Sequence, residues 1–562
     1  MAFAQALAIG LIALIVAPGY AFYFDVTPKS AVLLVGTAGL LILAARGREA
    51  PRGPRLFATL LLWNAASLAV STAFSPNRSL SLYGGTWRCF GAAMQCVAML
   101  FAWLVAWQST GRPGRVRTVL RGVSVAGSLA AGYAIAQYRV GSAVRPAGTL
   151  GDAGYLANWL SMAVFLGLAL AQMETHRVWR GVAYAAAALA LAGVFVTGAR
   201  TAMFGLAAGV LVWLGCGGFR RPRRVLLAAA AVVLCGAAFW FSPGDPGAGA
   251  HPRLWRDALS MAAERPLAGY GPEVFLAGFP HFESKALARA DPDLVYESPR
   301  NILLDALVSQ GVPGLLLLCG LCWAGFAAAW RRKAGWLAAA LAAGIVSQQF
   351  TAFIMPTAVL FLTVIALAAA LAKEPEAPRP SPAIAAAVPF FALALVYFAL
   401  RLTMADHALA VTRRLLDARE WRATTAEYET YWFWRLPGSS ADLWYSRSWM
   451  EVARSTADPA VRAQALAISK EAAGRATEDA EEPFVAWYNR AQVCALEDNA
   501  EDAEASLRRA IAARPNWYLP HWILAQELLR ESRWDAARTE AALAVELDAC
   551  HHPEVTTTLL LP

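Results

Sequence analysis

Two pieces of one polar stretch decide the fold: HPRLWRDALSMAAERPLAGYGPEVF at residues 251–275 and YESPRNILLDALVSQGVPG at residues 296–314. The chain before and after this stretch is apolar enough to form membrane helices. A long loop between short ones is uncommon unless it is functional or disordered. Because this loop is rich in Arg, His and carboxylates, we expect it to carry chemistry in water.

The composition is that of a polytopic membrane protein. Of the 562 residues, 58% are hydrophobic and 16% are charged, whereas about a quarter of a soluble domain is charged. We predict an all-α membrane bundle of about 12–13 spans over residues 1–400, since a span needs roughly 20 apolar residues. The predicted spans are centred on residues 3–24, 30–45, 56–74, 90–108, 119–137, 155–173, 182–197, 202–219, 225–241, 302–330, 336–353, 357–372 and 383–400.

Basic residues alternate between successive short loops, which predicts the topology. One set of loops holds 18 Lys and Arg residues, and the other holds six. Short basic loops stay in the cytoplasm. The N-terminus is therefore expected inside, and the 242–301 loop and residues 401–562 outside. The six basic residues of the outer loops are Lys29, Arg78, Arg88, Arg139, Arg145 and Arg200. Nucleic acid is not an expected partner, because the excess positive charge lies in the short loops between membrane spans, where it sets the topology.

Residues 401–562 form a second, acidic region with a net charge of −7. Small residues recur there with a period of 34: Ala491 with Ala525, Ala503 with Ala537, and Ala510 with Ala544. This is the tetratricopeptide period, and small residues let two helices pack closely. We predict an α-solenoid of helical hairpins on the outer side of the membrane, with a concave face that could bind a protein partner.

Arginine residues near membrane boundaries are the first candidates for a binding site. A guanidinium is permanently charged and grips phosphate with two hydrogen bonds. If several converge on one face, they suit a lipid-linked pyrophosphate, whereas an isolated Arg could simply snorkel to the lipid head groups. The candidates for pyrophosphate binding are Arg145, Arg200, Arg253 and Arg256.

Five short motifs together resemble the O-antigen ligase and polymerase superfamily of bacterial envelope enzymes. The loop holds R-x-W-x-x-A-L at 253–259, P-L-x-G-Y-G at 266–271 and N-x-x-L-D-x-L-V-x-x-G at 301–311. Upstream, GTLGDAGYLANWL at 148–160 and TGARTAMFG at 197–205 are also similar to segments of that family. The resemblance covers roughly residues 60–370 and is specific for the family rather than for one substrate.

The resemblance implies a glycosyltransferase of polysaccharide or lipopolysaccharide biosynthesis in the bacterial inner membrane. Such an enzyme moves a glycan from an undecaprenyl-pyrophosphate donor to a lipid, glycan or protein acceptor on the periplasmic face. It needs no metal or cofactor, because pyrophosphate is already a good leaving group. The reaction needs cations on the departing phosphates and a base for the acceptor hydroxyl. The expected reaction is ligation to an envelope acceptor or polymerisation of repeat units, with transfer to a protein hydroxyl as a third version, and the sequence does not separate them.

One position departs from the family pattern. The family usually has His before the Asn of its last motif, and this chain has Arg300 before Asn301. An Arg cannot act as a general base at ordinary pH. Glu297 is the nearest substitute, and Asp305 follows Asn301 by one helical turn. These four residues are the candidate catalytic set. A former ligase that acts as an assembly scaffold is the alternative, and a transporter is a more distant one.

Overall fold

The computed structural model describes residues 1–46, 53–141, 144–217, 236, 248–371, 382–438 and 440–558. Regular secondary structure in these ranges is helical, which confirms the predicted all-α class. The helices up to the large loop are α1 (Ala2–Leu14), α2 (Thr27–Arg46), α3 (Arg55–Ala73), α4 (Arg78–Tyr83), α5 (Ala92–Ser109), α6 (Pro113–Arg139), α7 (Ala153–Met173), α8 (Arg177–Thr197) and α9 (Arg200–Gly217). The loop helices are α10 (His251–Glu264), α11 (Phe275–Gly278) and α12 (Lys285–Ala288). The remaining helices are α13 (Ile302–Arg331), α14 (Gly335–Ser347), α15 (Met355–Ala370), α16 (Pro382–Asp417), α17 (Trp421–Trp434), α18 (Asp442–Ser455), α19 (Pro459–Asp479), α20 (Pro483–Leu496), α21 (Ala500–Ala513), α22 (Tyr518–Arg530), α23 (Trp534–Asp548) and α24 (Pro553–Thr557).

Twelve of the described helices lie where a span is predicted. Eight are long and apolar enough to cross a membrane: α2, α3, α5, α6, α7, α8, α13 and α16. Helices α1, α9, α14 and α15 are shorter and also apolar. The predicted span at 225–241 lies outside the described residues except for residue 236.

Several helices differ from their predicted bounds, and three departures from the predicted spans have a clear physical cause. Helix α1 ends at Leu14 instead of continuing to residue 24, because Pro18 cannot extend a helix and Gly19 takes a φ of 77°. Helix α13 kinks at Gly311, which has φ 68° and ψ −165°. Helix α16 continues to Asp417, seventeen residues beyond the predicted span, and packs along α2.

The membrane helices pack around α7, which is the most buried of the long spans. It contacts α8, α14 and α15, and its Trp159 is 1% exposed. A close approach is possible where glycine faces a neighbouring backbone. At Gly205 of α9, an added Cβ would lie 2.7 Å from the carbonyl oxygen of Ala343.

The large loop folds onto a small core of its own above the bundle. One face of α10 buries Leu254, Ala258 and Met261 against Phe275 and Phe279. Helix α10 is strongly amphipathic, because charged residues occupy its other face. The loop is therefore a folded cap.

Most of the C-terminal helices pack in chain order: α16 packs against α17, and from α18 to α23 each helix packs against the next. The recurring small residues are buried at these contacts: Ala491, Ala525, Ala503, Ala537, Ala510 and Ala544 are each at most 3% exposed. Burial of alanine at helix contacts fits the period of 34 residues. The tetratricopeptide assignment itself stays a prediction.

Candidate functional site

The P-L-x-G-Y-G motif holds the loop against the kink of α13 through backbone hydrogen bonds. The Tyr270 amide donates to the Val308 carbonyl at 2.8 Å, and the Gly271 amide donates to Ser309 at 2.9 Å. The Val312 amide donates back to Pro266 at 2.7 Å. We call these contacts the backbone latch. An added Cβ at Gly269, where φ is 68°, would lie 2.5 Å from the Ser309 oxygen, so only glycine fits there.

The end of the loop is fixed by a helix cap. The Asn301 side-chain oxygen accepts from the amides of Leu303 and Leu304 at 3.0 and 3.1 Å, which is the usual bonding of an N-cap residue. The Ile302 amide donates to the Gln348 carbonyl at 3.0 Å. Asn301 is predicted as catalytic, but its carboxamide oxygen caps the start of α13. Arg300 precedes it in the left-handed region, with φ 48°.

A buried ionic cluster joins the loop, the turn before α5 and α13. The Arg88 Nε donates to Glu273, and its Nη1 lies 3.4 Å from an oxygen of Asp305. The other Glu273 oxygen accepts from the Gly85 amide at 3.2 Å. Asp305 was a sequence candidate, whereas Arg88 and Glu273 were not. Arg88 did belong to the six outer-loop cations, and Glu273 follows the P-L-x-G-Y-G motif by two residues.

A cavity of about 220 Å³ lies beside this cluster. It is bounded by the starts of α2 and α15, the turn before α5, the GTLGD turn and the end of the loop. Its polar lining residues are Asp25, Lys29, Arg88, Tyr155 and Glu297. The Lys29 ammonium donates to the carbonyls of Asp25 and Thr149, the latter at 2.6 Å. Since an ammonium has three donors, one remains for a ligand.

Glu297 is the one carboxylate that the end of the loop contributes to this cavity. Its side chain is exposed towards the cleft, yet the surrounding protein desolvates it and raises its pKa, while Arg300 and Arg88 oppose the shift. Among the described residues, no hydrogen bond restrains this carboxylate. A carboxylate with a raised pKa is a better proton acceptor than an ordinary one. The cavity thus combines two cations with a base.

The four predicted pyrophosphate ligands do not line this cavity, as far as the described residues define it. Arg253 and Arg256 are exposed on α10, and Arg256 lies 3.5 Å from Asp257. Arg200 is the first residue of α9 and follows Gly198, which has a φ of 65°. Arg145 is partly buried ahead of the GTLGD turn.

Comparison with known proteins adds one match. No curated protein matches the chain. Residues 185–319 match the model of the O-antigen ligase family. The matched segment runs from α8 through the loop into α13, and so includes the backbone latch, Glu297 and Asp305. This segment therefore belongs to the O-antigen ligase family, as its motifs predict.

Proposed function

We propose that the protein transfers a glycan from an undecaprenyl-pyrophosphate donor to an envelope acceptor, without a metal or cofactor. The observation that supports this most is the cavity in which Lys29 and Arg88 face Glu297. The cavity is formed with the loop that carries the family match. Two buried cations beside the partly desolvated carboxylate of Glu297 suit a reaction in which an anion leaves and a hydroxyl loses its proton.

In the proposed reaction, Glu297 takes the proton from the acceptor hydroxyl. The acceptor oxygen forms the new bond to the sugar carbon, and the bond from that carbon to the donor phosphate oxygen breaks. The pyrophosphate keeps that electron pair, and Lys29 and Arg88 stabilise its charge. Arg300 adds a further permanent charge beside Glu297. We assign Arg145, Arg200, Arg253 and Arg256 to the path of the donor phosphates and Asp305 to orienting Arg88.

The proposed side is the periplasmic face of the inner membrane. The loop and the C-terminal helices contact each other directly, for example through Arg514 and Glu283, so they share one side. The cation-poor outer loops favour the periplasm for that side. The C-terminal helices would then stand where lipid, glycan or protein acceptors arrive, and could bind a protein partner there.

The test is a chromosomal Glu297→Gln variant. We expect at least about a 100-fold loss of finished glycan, because a general base contributes 10²–10⁴-fold. Lipid-linked glycan should accumulate, at a normal level of the protein. Glu429→Gln, an exposed carboxylate on α17, is the matched control and should behave as the wild type.

The scaffold function is the second candidate, because Arg300 stands where the family usually has His. Full finished glycan in Glu297→Gln together with its loss in a deletion strain would favour the scaffold. Unchanged glycan in the deletion strain would contradict both functions. Arg300→His adds the family's usual base, so under the transferase proposal it should restore glycan to Glu297→Gln.

A further inference from the structure

The helices α17 to α24, which we call the C-terminal domain, bind the segment of the large loop that precedes Glu297. Arg514, after α21, is 2% exposed. Its Nε and Nη2 donate to the two oxygens of Glu283 at 2.8 and 3.0 Å, which is a bidentate pair. Nη2 also donates to the Leu294 carbonyl at 3.1 Å. One side chain of the C-terminal domain therefore holds two points of the loop that are eleven residues apart.

The C-terminal domain makes further contacts with the same segment of the loop. The side-chain Nδ2 of Asn516 donates to the backbone carbonyl of Glu283 at 2.6 Å. The Tyr518 hydroxyl donates to Asp293 at 2.9 Å. Val295 packs against the apolar core of the C-terminal domain. The segment from 283 to 295 is thus bound to the C-terminal domain through charge, hydrogen bonds and apolar contact.

Glu297 lies between two anchors. Val295, two residues before it, is held by the C-terminal domain. Ile302, five residues after it, is held by Gln348 of the membrane bundle. Because no hydrogen bond among the described residues restrains the Glu297 carboxylate itself, its place in the cavity depends on the backbone on either side, which these two anchors hold together with Tyr296, buried in the core of the loop.

The C-terminal domain also reaches the opposite wall of the cavity. A carboxylate oxygen of Glu481 accepts from the Thr86 amide at 2.6 Å. Thr86 is two residues before Arg88, and the adjoining Gly85 amide donates to Glu273. The domain therefore contacts the chain on both the base side and the cation side of the cavity.

We propose that the C-terminal helical domain is part of the transfer site, in which Arg514 is a positioning residue for Glu297. The inference rests on the proposed function. A buried ion pair is weak evidence for stability, since desolvation offsets much of its attraction. A bidentate arginine–carboxylate pair does fix direction, however, and a general base must lie within hydrogen-bond reach of its proton.

The test compares Arg514→Gln with the wild type in membrane vesicles that contain the host's own lipid-linked glycan and acceptor. We expect transfer to slow by about 10–100-fold at saturating donor, with little change in KM, because a displacement of 1 Å costs up to 10²-fold. The acid limb of the pH–rate profile should also move to lower pH, because a released Glu297 regains water. A purely structural loss would reduce the amount of active protein without moving this limb.

Three further variants keep the test decisive if Arg514→Gln accumulates poorly. Arg538→Gln changes an exposed residue of α23 and is the matched control. It should keep both the wild-type transfer rate and the wild-type acid limb of the pH–rate profile. Tyr518→Phe removes the hydrogen bond to Asp293. It should lower the transfer rate and move the acid limb to lower pH, as Arg514→Gln does but by a smaller amount. The reversed pair Glu283→Arg with Arg514→Glu should recover part of the rate.

The outcomes separate this inference from the proposed function. If wild-type vesicles transfer no glycan, both are wrong. If the wild type transfers glycan while Arg514→Gln or Tyr518→Phe keeps the wild-type rate and acid limb, only the positioning role is wrong. If the wild type is active and both shift as expected, the C-terminal domain is part of the site.

Discussion

Arg88 is the residue on which the geometry of the cavity depends most directly. It is 4% exposed and contacts carboxylates from two distant parts of the chain, Glu273 in the loop and Asp305 on α13. Each carboxylate is close to a motif of the ligase family, so Arg88 connects two motifs. A cation in this position compensates buried negative charge, and under the proposed function it also stabilises the departing pyrophosphate.

Arg88→Gln should therefore destabilise the protein as well as abolish transfer. Removing the guanidinium leaves Glu273 buried without its counter-charge, which costs about 3–5 kcal/mol. Denaturant unfolding of the detergent-purified protein measures this loss. Arg78→Gln, an exposed cation at the start of α4, is the control and should change stability by less than about 0.5 kcal/mol. Equal stabilities of the two variants would contradict the role of the ion pair.

For single residues, the sequence predicts which side chains near a motif belong to the site, but not the distant residues to which they bond. Glu297 and Asp305 are within four residues of Asn301, so one motif was enough to select them. Arg88 bonds to Glu273 across 185 residues, and Lys29 bonds to Thr149 across 120. Such pairs follow from the fold and not from local spacing. Asn301 is a catalytic candidate from the same motif, and its side chain caps α13.

The backbone latch is the element that holds the large loop to α13. Gly269→Ala should break it, because alanine at φ 68° costs about 1–2 kcal/mol and the added Cβ would meet the Ser309 backbone. We expect a loss of about 2 kcal/mol or more in unfolding free energy once a latch hydrogen bond is also lost. Glycan transfer should fall with it, since the loop carries Glu297.

Gly474→Ala on α19 is the matched control for this substitution. An added Cβ there has no atom within 4 Å, and its φ is not positive. Alanine in a helix interior is favoured over glycine by about 1 kcal/mol, so stability should stay the same or rise. Thermal unfolding and glycan transfer of both variants check the pair. If Gly269→Ala were as stable as Gly474→Ala, the close approach at the latch would not hold.

Element positions were predictable because hydropathy is a local property. Twelve described helices lie at predicted spans, including short ones such as α14 and α15. Ends and breaks depend on single residues and were missed. Pro18 ends α1 early, and Gly311 kinks α13 because the latch needs its left-handed backbone. The extension of α16 depends on tertiary packing against α2, which no window of the sequence contains.

For the whole molecule, the main result of the structure is the contact between its two predicted domains. Composition separates an acidic C-terminal region from a basic membrane region, yet it does not show that they meet. The contact is ionic where the loop supplies Lys285 and Arg289 to Glu546, and buried at Arg514. Opposite net charges favour this association, while the specific pairs depend on the folded surfaces.

Glu481 makes the association of the domains depend on pH. Its side chain is partly buried at the domain boundary, and desolvation raises its pKa to about 7 although the Thr86 amide favours the charged form. The unfolded pKa is about 4.3. The folded protein thus holds the Glu481 proton between these values, so the contribution of Glu481 to stability is fully present below about pH 4.3 and is lost as pH rises through 7.

Glu481→Gln should remove this pH dependence and stabilise the protein above neutral pH. The glutamine oxygen still accepts from the Thr86 amide, but no charge is desolvated. We expect a gain of about 1–2 kcal/mol at pH 8, less than full linkage gives because water screens a partly exposed group, and no gain near pH 4. Unfolding of the detergent-purified protein at both pH values measures it, with the exposed Glu429→Gln as control. A loss of stability at pH 8 would mean that the carboxylate is needed in its charged form, and that its attraction to the Thr86 amide exceeds the cost of its burial.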